Sequence, residues 1–386
     1  MTTYDTIIVG AGPAGSTAAR RLAQRGVRGL LLDRARFPRD KPCGGGVTIR
    51  AAHDAGINLS PVIEDTVSSV RVSLRLGRPF ERSSPEPLSY MTQRCRLDAY
   101  LVEQAAAAGA DFRDDVAVRE VEISNDEVIV SSNGDTYRAR ALVGADGANG
   151  VVARAAGLTP NGESALALEG NVPADDRLIE RWERTIALDF GGIPGGYGWL
   201  FPKREHLNVG VGGWRWVGPS LRDHLSALCK YLDLDETQLT NVRGHHLPLR
   251  TPGAPIVRGP ALLAGDAAGL VDPLSGEGID AALTSGRLAA EALLPYLAGE
   301  ARDLSAYEAA VERELMTDIM LSHKLQRIFH RMPRPCVSVM RRSDRFWRSL
   351  CGFVRGEVTY AGFWQRIGPL GIVLNGLAKL SEPKRP

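Results

Sequence analysis

The sequence predicts an α/β plus antiparallel β fold. A Rossmann-like nucleotide-binding domain is interleaved with a β-sheet substrate domain and followed by a C-terminal helical region. Three observations predict it. A glycine-punctuated turn joins an apolar run to a helical stretch at the N-terminus. A second apolar run ends in an acid at residue 266, and strand-like alternation with Gly and Pro punctuation fills the middle of the chain.

The first element is Tyr4-Asp-Thr-Ile-Ile-Val-Gly-Ala-Gly-Pro-Ala-Gly15, a β-branched run feeding Gly10, Gly12 and Gly15. A helical stretch from Ser16 to Arg25 follows, Gly26 ends it, and Leu30-Leu-Leu32 delivers Asp33. Strand, turn, helix, strand and acid stand in the order a dinucleotide site needs. Gly10 permits the tight turn, Gly12 lets a diphosphate approach the backbone, and Gly15 lets helix and strand pack closely. The helix N-terminus presents free N–H groups and partial positive charge. Asp33 falls where a ribose-binding acid belongs, and Ala14 and Arg34 are grouped with these cofactor-binding candidates.

A chain of 386 residues suggests two or three domains. The nucleotide-binding domain is expected at 1–66, 92–158 and 259–300, the substrate β domain at 67–91 and 159–258, and the helical region at 301–386. Ser69–Leu74 alternates like a strand, and the stretch from Arg96 reads as a helix. Val116–Ile123, Val128–Ser131 and Ala141–Ala145 read as strands, Ala261–Asp266 as a buried strand, and Ile279–Leu297 as a helix.

The composition, 44% hydrophobic and 24% charged, is that of a globular protein. No apolar run is long enough to cross a bilayer, and Met1-Thr-Thr leads straight into the first strand, so no signal peptide is expected. The five cysteines are odd in number and scattered, which suits a reducing compartment and a cytoplasmic location. They offer neither a disulfide framework nor an iron–sulfur spacing. His245-His246 lack a third ligand at metal spacing and read as structural, so no metal is expected. The net charge of +2 hides an asymmetry: thirteen Lys/Arg stand against three Asp/Glu from His323 onward, and 34 against 42 before it. The basic tail reads either as a solvated helical surface or as attraction to a membrane face or an anionic substrate. No nucleic-acid motif accompanies the charge.

The second strong signal is Ala264-Gly-Asp-Ala-Ala-Gly-Leu-Val-Asp-Pro-Leu-Ser-Gly-Glu-Gly-Ile279. Asp266, at a strand end, can accept hydrogen bonds from a ribityl chain. Gly276 and Gly278 open a helix at Ile279 whose positive end favours an anionic reduced flavin.

Together Gly10–Gly15, Arg94-Cys-Arg-Leu-Asp98, Gly144-Ala-Asp-Gly147 and the Gly265-Asp266 stretch resemble the FAD-dependent oxidoreductases of the aromatic-hydroxylase fold. The resemblance implies that the first motif holds the ADP part of FAD, that Arg94 sits near the flavin, and that Asp266 holds ribityl and flavin. The Asp-Gly pair would lie by the diphosphate. Gly150 stands where that family usually has Ser, which points away from a fast hydroxylase-type reaction with NADPH. Lys41-Pro-Cys-Gly-Gly-Gly-Val-Thr48 resembles the cysteine–glycine loop of geranylgeranyl reductases, which places Cys43, Gly44 and Gly45 at the cofactor. Gly196-Tyr-Gly-Trp-Leu-Phe-Pro-Lys203 resembles their substrate-cavity motif, and Gly356–Tyr360 their C-terminal region.

Tyr197, Trp199 and Phe201 alternate, so a strand points all three to one face. That face is either an aromatic wall for a long apolar ligand or an ordinary core face. Cys43 is either a proton donor or a buried structural cysteine. With Tyr197 and Trp199 it forms the catalytic set; Tyr197, Trp199, Phe201 and Lys203 form the substrate-binding set. Lys203 reads first as a surface lysine, with a phosphate headgroup as its other partner. The expected function is flavin-dependent reduction of C=C bonds in an isoprenoid chain. FAD would be reduced by NAD(P)H or a small electron carrier; with only one dinucleotide fingerprint, any nicotinamide would visit the flavin transiently. A monooxygenase or halogenase on the same scaffold is the alternative, and a non-catalytic prenyl-lipid-binding flavoprotein the second.

Overall fold

The computed structural model describes residues 2–132, 134–160 and 162–366. An eight-stranded sheet centres on Thr2–Val9, with Gly29–Leu32 and Thr136–Gly144 parallel on either side. Ala261–Leu263 and Asp111–Arg113 extend it outward, also in parallel. Ile7, Ile8 and Leu30–Leu32 are fully buried, which is why these strands read as continuous apolar runs rather than as alternation. The first helix spans Pro13–Ala23 and starts three residues earlier than expected, with Pro13 fixing φ for the first turn. It packs on the helix Ile279–Leu297, where a Cβ at Gly286 would lie 2.3 Å from the Ala14 carbonyl oxygen.

The expected strand Val116–Ile123 is shorter, covering Glu120–Ile123 only. Asp115 has φ of +55°, and Val116 N–H donates to the Asp33 carbonyl at 2.9 Å, so this stretch serves the second strand's end instead of the hairpin. Ala261–Asp266 is likewise divided: the strand ends at Leu263 and a 3₁₀ turn, Gly265–Ala268, carries Asp266.

A seven-stranded sheet combines two chain segments. Its order is Thr240–Pro248, Ser164–Pro173, His206–Trp214, Tyr197–Pro202, Thr185–Phe190, Ser69–Leu74, Phe80–Ser83. One face buries Leu200, Val209 and Val211 under Leu221, Leu225 and Leu228 of the helix Leu221–Tyr231. A small sheet of Gly46–Thr48, Asp65–Val67 and Ser89–Met91 follows the cysteine–glycine loop directly. Helices Pro333–Arg342 and Asp344–Val354 bury Val337, Met340, Trp347 and Cys351 against Val70, Val72 and Leu88. The basic tail is described only in part: Lys379, Lys384 and Arg385 lie outside the described residues. Among the described residues no helix is long and apolar enough to cross a membrane.

Candidate active site

The glycine turn is built by close packing. A Cβ at Gly10 would lie 2.2 Å from the Ala145 carbonyl oxygen, and Gly10 has φ of +101°. A Cβ at Gly15 would lie 1.9 Å from the Gly10 carbonyl oxygen. Gly12 differs. A Cβ there would meet two side-chain ends at ordinary contact distance, 3.8 Å from Arg39 Nη2 and 3.9 Å from Arg94 Nη2. Gly12 caps the Pro13–Ala23 helix without a side-chain acceptor, so the helix's first N–H groups stand beside these two guanidinium groups.

The two guanidinium groups are held by Asp98, which is fully buried. It accepts from Arg94 Nε and Nη2, each at 2.8 Å, and from Arg39 Nη1 at 2.7 Å. Two cations on one carboxylate hold its pKa below the usual range despite burial, and Asp98 in turn raises that of Arg94. Asp33 accepts from Ala11 N at 2.8 Å and from Ala35 N at 2.9 Å, with Arg39 Nη2 at 3.7 Å. Arg34 is exposed on the loop beyond it.

Asp266 lies across the cleft. Lys41 Nζ donates to its Oδ2 at 2.9 Å, and His245 Nε2 stands 3.5 Å away. The Lys41 ammonium and the His245 hydrogen bond hold the carboxyl far below the ordinary range against the cost of burial. Gly278 caps the Ile279–Leu297 helix without a side-chain acceptor, and Gly276 has φ of +68°.

Tyr197, Trp199 and Phe201 do share a face, with ring centroids 5.9 and 6.3 Å apart along the row. The Tyr197 hydroxyl donates to the Ser275 carbonyl, which ties the row to the loop before Ile279. Trp199 Nε1 donates to Asn208 Oδ1 at 2.9 Å, and Asn208 Nδ2 donates to Asn171 Oδ1 at 3.0 Å. The cysteine–glycine loop packs on the other end. A Cβ at Gly44 would lie 2.6 Å from Phe201 Cδ2 and 3.3 Å from Trp199 Nε1. Cys43 is half-buried, and Gly45 N–H donates to its Sγ at 3.4 Å.

Residues 3–189 match the FAD binding domain family. A chloroplastic geranylgeranyl diphosphate reductase of Oryza sativa is 31% identical, over 84% of this chain and 74% of that one. The chain belongs to the FAD-dependent geranylgeranyl reductase family. It is an FAD-dependent oxidoreductase. A digeranylgeranylglycerophospholipid reductase of Methanopyrus kandleri is 34% identical, over 75% of this chain and 80% of that one. The solved geranylgeranyl bacteriochlorophyll reductase-like protein of Thermoplasma acidophilum superposes with a TM-score of 0.75 at 26% identity, covering 84% of this chain and 88% of that one. A solved flavin-dependent brominase also matches, at 18% identity, a likeness that shows the fold alone.

The residues present fit FAD. The free N–H groups at the start of the Pro13–Ala23 helix and the paired guanidinium groups beside Gly12 form a donor set suited to a diphosphate. Two residues of this candidate site, Arg39 and Glu169, escape sequence reasoning. Arg39 stands at Gly12, where Arg34 had been grouped, and its only sequence signal is a basic residue just beyond the second strand. Glu169 accepts from Cys43 N–H at 2.5 Å. Lys203 is not a surface residue: it is 4% exposed, and its Nζ donates to the Gly44 carbonyl at 2.6 Å. Two strand ends and the glycine loop close over it. Gly150 also has a local reason: a Cβ there would lie 2.1 Å from Asp146 Oδ1, whose carboxylate caps Val151 N and Val152 N.

Proposed function

We propose that this reductase adds hydrogen across isolated C=C bonds of a prenyl chain laid against the Tyr197–Trp199–Phe201 row. The observation that carries the reading is the direct packing of Gly44 on Phe201 and Trp199. It joins the loop that resembles a cofactor motif to an aromatic surface suited to an apolar chain. The names of the relatives, which speak of geranylgeranyl and digeranylgeranyl compounds, support a prenyl substrate.

When bound and reduced, FAD supplies a hydride to one alkene carbon. The chain's own residues do the rest. Gly12, Arg39 and Arg94 hold the diphosphate, with Gly10, Ala14 and Gly15 shaping the turn. Asp33 takes the ribose, and Asp266 accepts from a ribityl hydroxyl. The start of the Ile279–Leu297 helix, where Glu277 already accepts from Asp280 N–H, would present its remaining N–H groups to the anionic edge of the cofactor. The aromatic row excludes water and aligns the alkene. Cys43 holds the proton for the second carbon. Hydride and proton form two C–H bonds as the π bond is lost, and NAD(P)H or a small electron carrier restores the reductant. The division into a three-piece nucleotide domain, a two-piece β domain and a helical region belongs to this proposal. So does peripheral lipid contact through the basic C-terminal region, where Arg334, Arg341, Arg342, Arg345 and Arg348 are exposed.

Anaerobic incubation of the reduced holoenzyme with geranylgeranyl diphosphate or a geranylgeranylated glycerolipid tests the proposal. Flavin reoxidation with a product richer in hydrogen is expected. A flavin that stays reduced with both substrates would overturn it. Hydroxylated or halogenated product under oxygen would point to the monooxygenase or halogenase chemistry instead, and tight lipid binding without turnover to a carrier.

A further inference from the structure

We propose that Glu169 and Lys203 are positioning residues for Cys43, gripping its loop from one strand of the seven-stranded sheet and from the end of another. The value of that grip for turnover rests on the functional reading above; the grip itself does not. The segment from Asp40 to Gly45 has no regular secondary structure, and its last carbonyl, at Gly45, accepts from Thr92 N–H at 2.9 Å. Glu169, on Ser164–Pro173, accepts from the N–H of Cys43 at 2.5 Å. Lys203, just past Tyr197–Pro202, donates to the carbonyl of Gly44 at 2.6 Å. An acid therefore holds the donor side of Cys43-Gly44 and a base holds the acceptor side. Gly45 locks the exit: at φ of +66°, a Cβ there would lie 2.0 Å from the Thr92 carbonyl oxygen and 2.9 Å from Lys203 Nζ.

Both side chains are buried, at 8% and 4% exposure. Burying a carboxylate and an ammonium costs several kcal/mol each, so apolar residues would serve better if packing were their only task. Burial leaves both close to titration. It pushes Glu169 up to about 7, with Lys203, Arg94 and Asp40 facing it. It brings Lys203 down to about 8, with Cys43, Glu64, Glu169 and Asp65 facing it. His206 also lies beside Lys203. The hold on the Cys43 loop thus changes strength across neutral pH, while the Arg94 guanidinium faces the Cys43 side chain from the neighbouring helix.

Alkylation of Cys43 by iodoacetamide in the FAD-loaded full chain, followed by peptide mass mapping from pH 6 to 9, tests the grip without any substrate. Glu169→Ala and Lys203→Met should each speed labelling of Cys43 at least about fivefold at pH 7 by freeing the loop. Glu169→Gln keeps an acceptor for the Cys43 N–H. It should match the native rate at pH 6 and lack the native inflection near pH 7. Flavin content reports folding, and Glu169→Gln decides the matter if Glu169→Ala does not fold. Native labelling rates in Glu169→Ala and Lys203→Met, or a native inflection in Glu169→Gln, would overturn the proposal. Altered labelling in a protein that reduces no prenyl substrate would leave the grip standing and remove the functional reading.

Discussion

Lys41 and Asp266 are 225 residues apart in the chain and 2.9 Å apart in space. The pair closes the cysteine–glycine loop over the turn that follows Ala261–Leu263. Its lysine is a quarter exposed, so solvent screens part of the interaction, and Lys41→Met should cost about 1 kcal/mol at pH 7. The sign with pH follows from Asp266. Its folded pKa is depressed, so its stabilisation is present above the ordinary carboxylate value of about 4 and is lost as pH falls through the folded value. Melting temperatures of the native protein and Lys41→Met should therefore differ at pH 7 and converge in acid. A constant gap across that range would show that Lys41 acts through packing instead of charge.

Gly15→Ala should be far more damaging than its size suggests. The added methyl would stand 1.9 Å from the Gly10 carbonyl oxygen, backbone that cannot move without opening the turn. A loss of roughly 3 kcal/mol and of retained FAD is expected. Denaturant unfolding and the flavin absorbance of purified protein measure the two effects. Gly26→Ala, with nothing within 4 Å of its Cβ position, is the control: φ of +77° makes it mildly strained, and it should keep its flavin.

Features encoded by local pattern were legible in the sequence. The Gly10–Gly15 turn, the helix Ile279–Leu297 with its stated ends, and the shared face of Tyr197, Trp199 and Phe201 follow from spacing within one element. Long-range polar partners were not. Glu169 meets Cys43 across 126 residues and Lys203 meets Gly44 across 159, and no periodicity marks either. A lysine after a strand reads as solvated because burying one is costly, and only the closed loop supplies the carbonyl that makes burial tolerable. Asn208 was hidden for the same reason: its partners, Trp199 and Asn171, lie on two neighbouring strands.

Trp199→Phe isolates the polar edge of the aromatic row. The ring stays, but Asn208 Oδ1 loses its donor inside a buried pocket. Stability should fall by about 1–2 kcal/mol, because the acceptor remains desolvated. If the row binds the prenyl chain in ground and transition states alike, KM should rise with kcat little changed. Trp199→Phe combined with Asn208→Leu removes both ends of this bond but leaves Asn171 Oδ1 without its donor, so it should recover only part of the lost stability. Failure of the double variant to recover would place the cost in packing around Gly210, whose Cβ position lies 2.1 Å from Trp199.

Glu277 and Asp280, at the start of the Ile279–Leu297 helix, share one strong cation. Arg50 Nη2 reaches Asp280 Oδ2 at 2.5 Å, while Glu277 Oε1 accepts from Asp280 N at 2.8 Å. Burial and the neighbouring Asp280 push the Glu277 carboxyl well above the usual carboxylate range. A raised folded pKa favours the folded state while the group is protonated. That contribution is full below the unfolded value of about 4.3 and fades as pH rises through the folded value. Glu277→Gln keeps the acceptor for Asp280 N and removes the titration. The variant should match the native protein near pH 4 and exceed it by about 2 kcal/mol at pH 9, read from urea unfolding at each pH. Parallel profiles would mean that Glu277 is ionised at neutral pH and that Arg50 neutralises it together with Asp280.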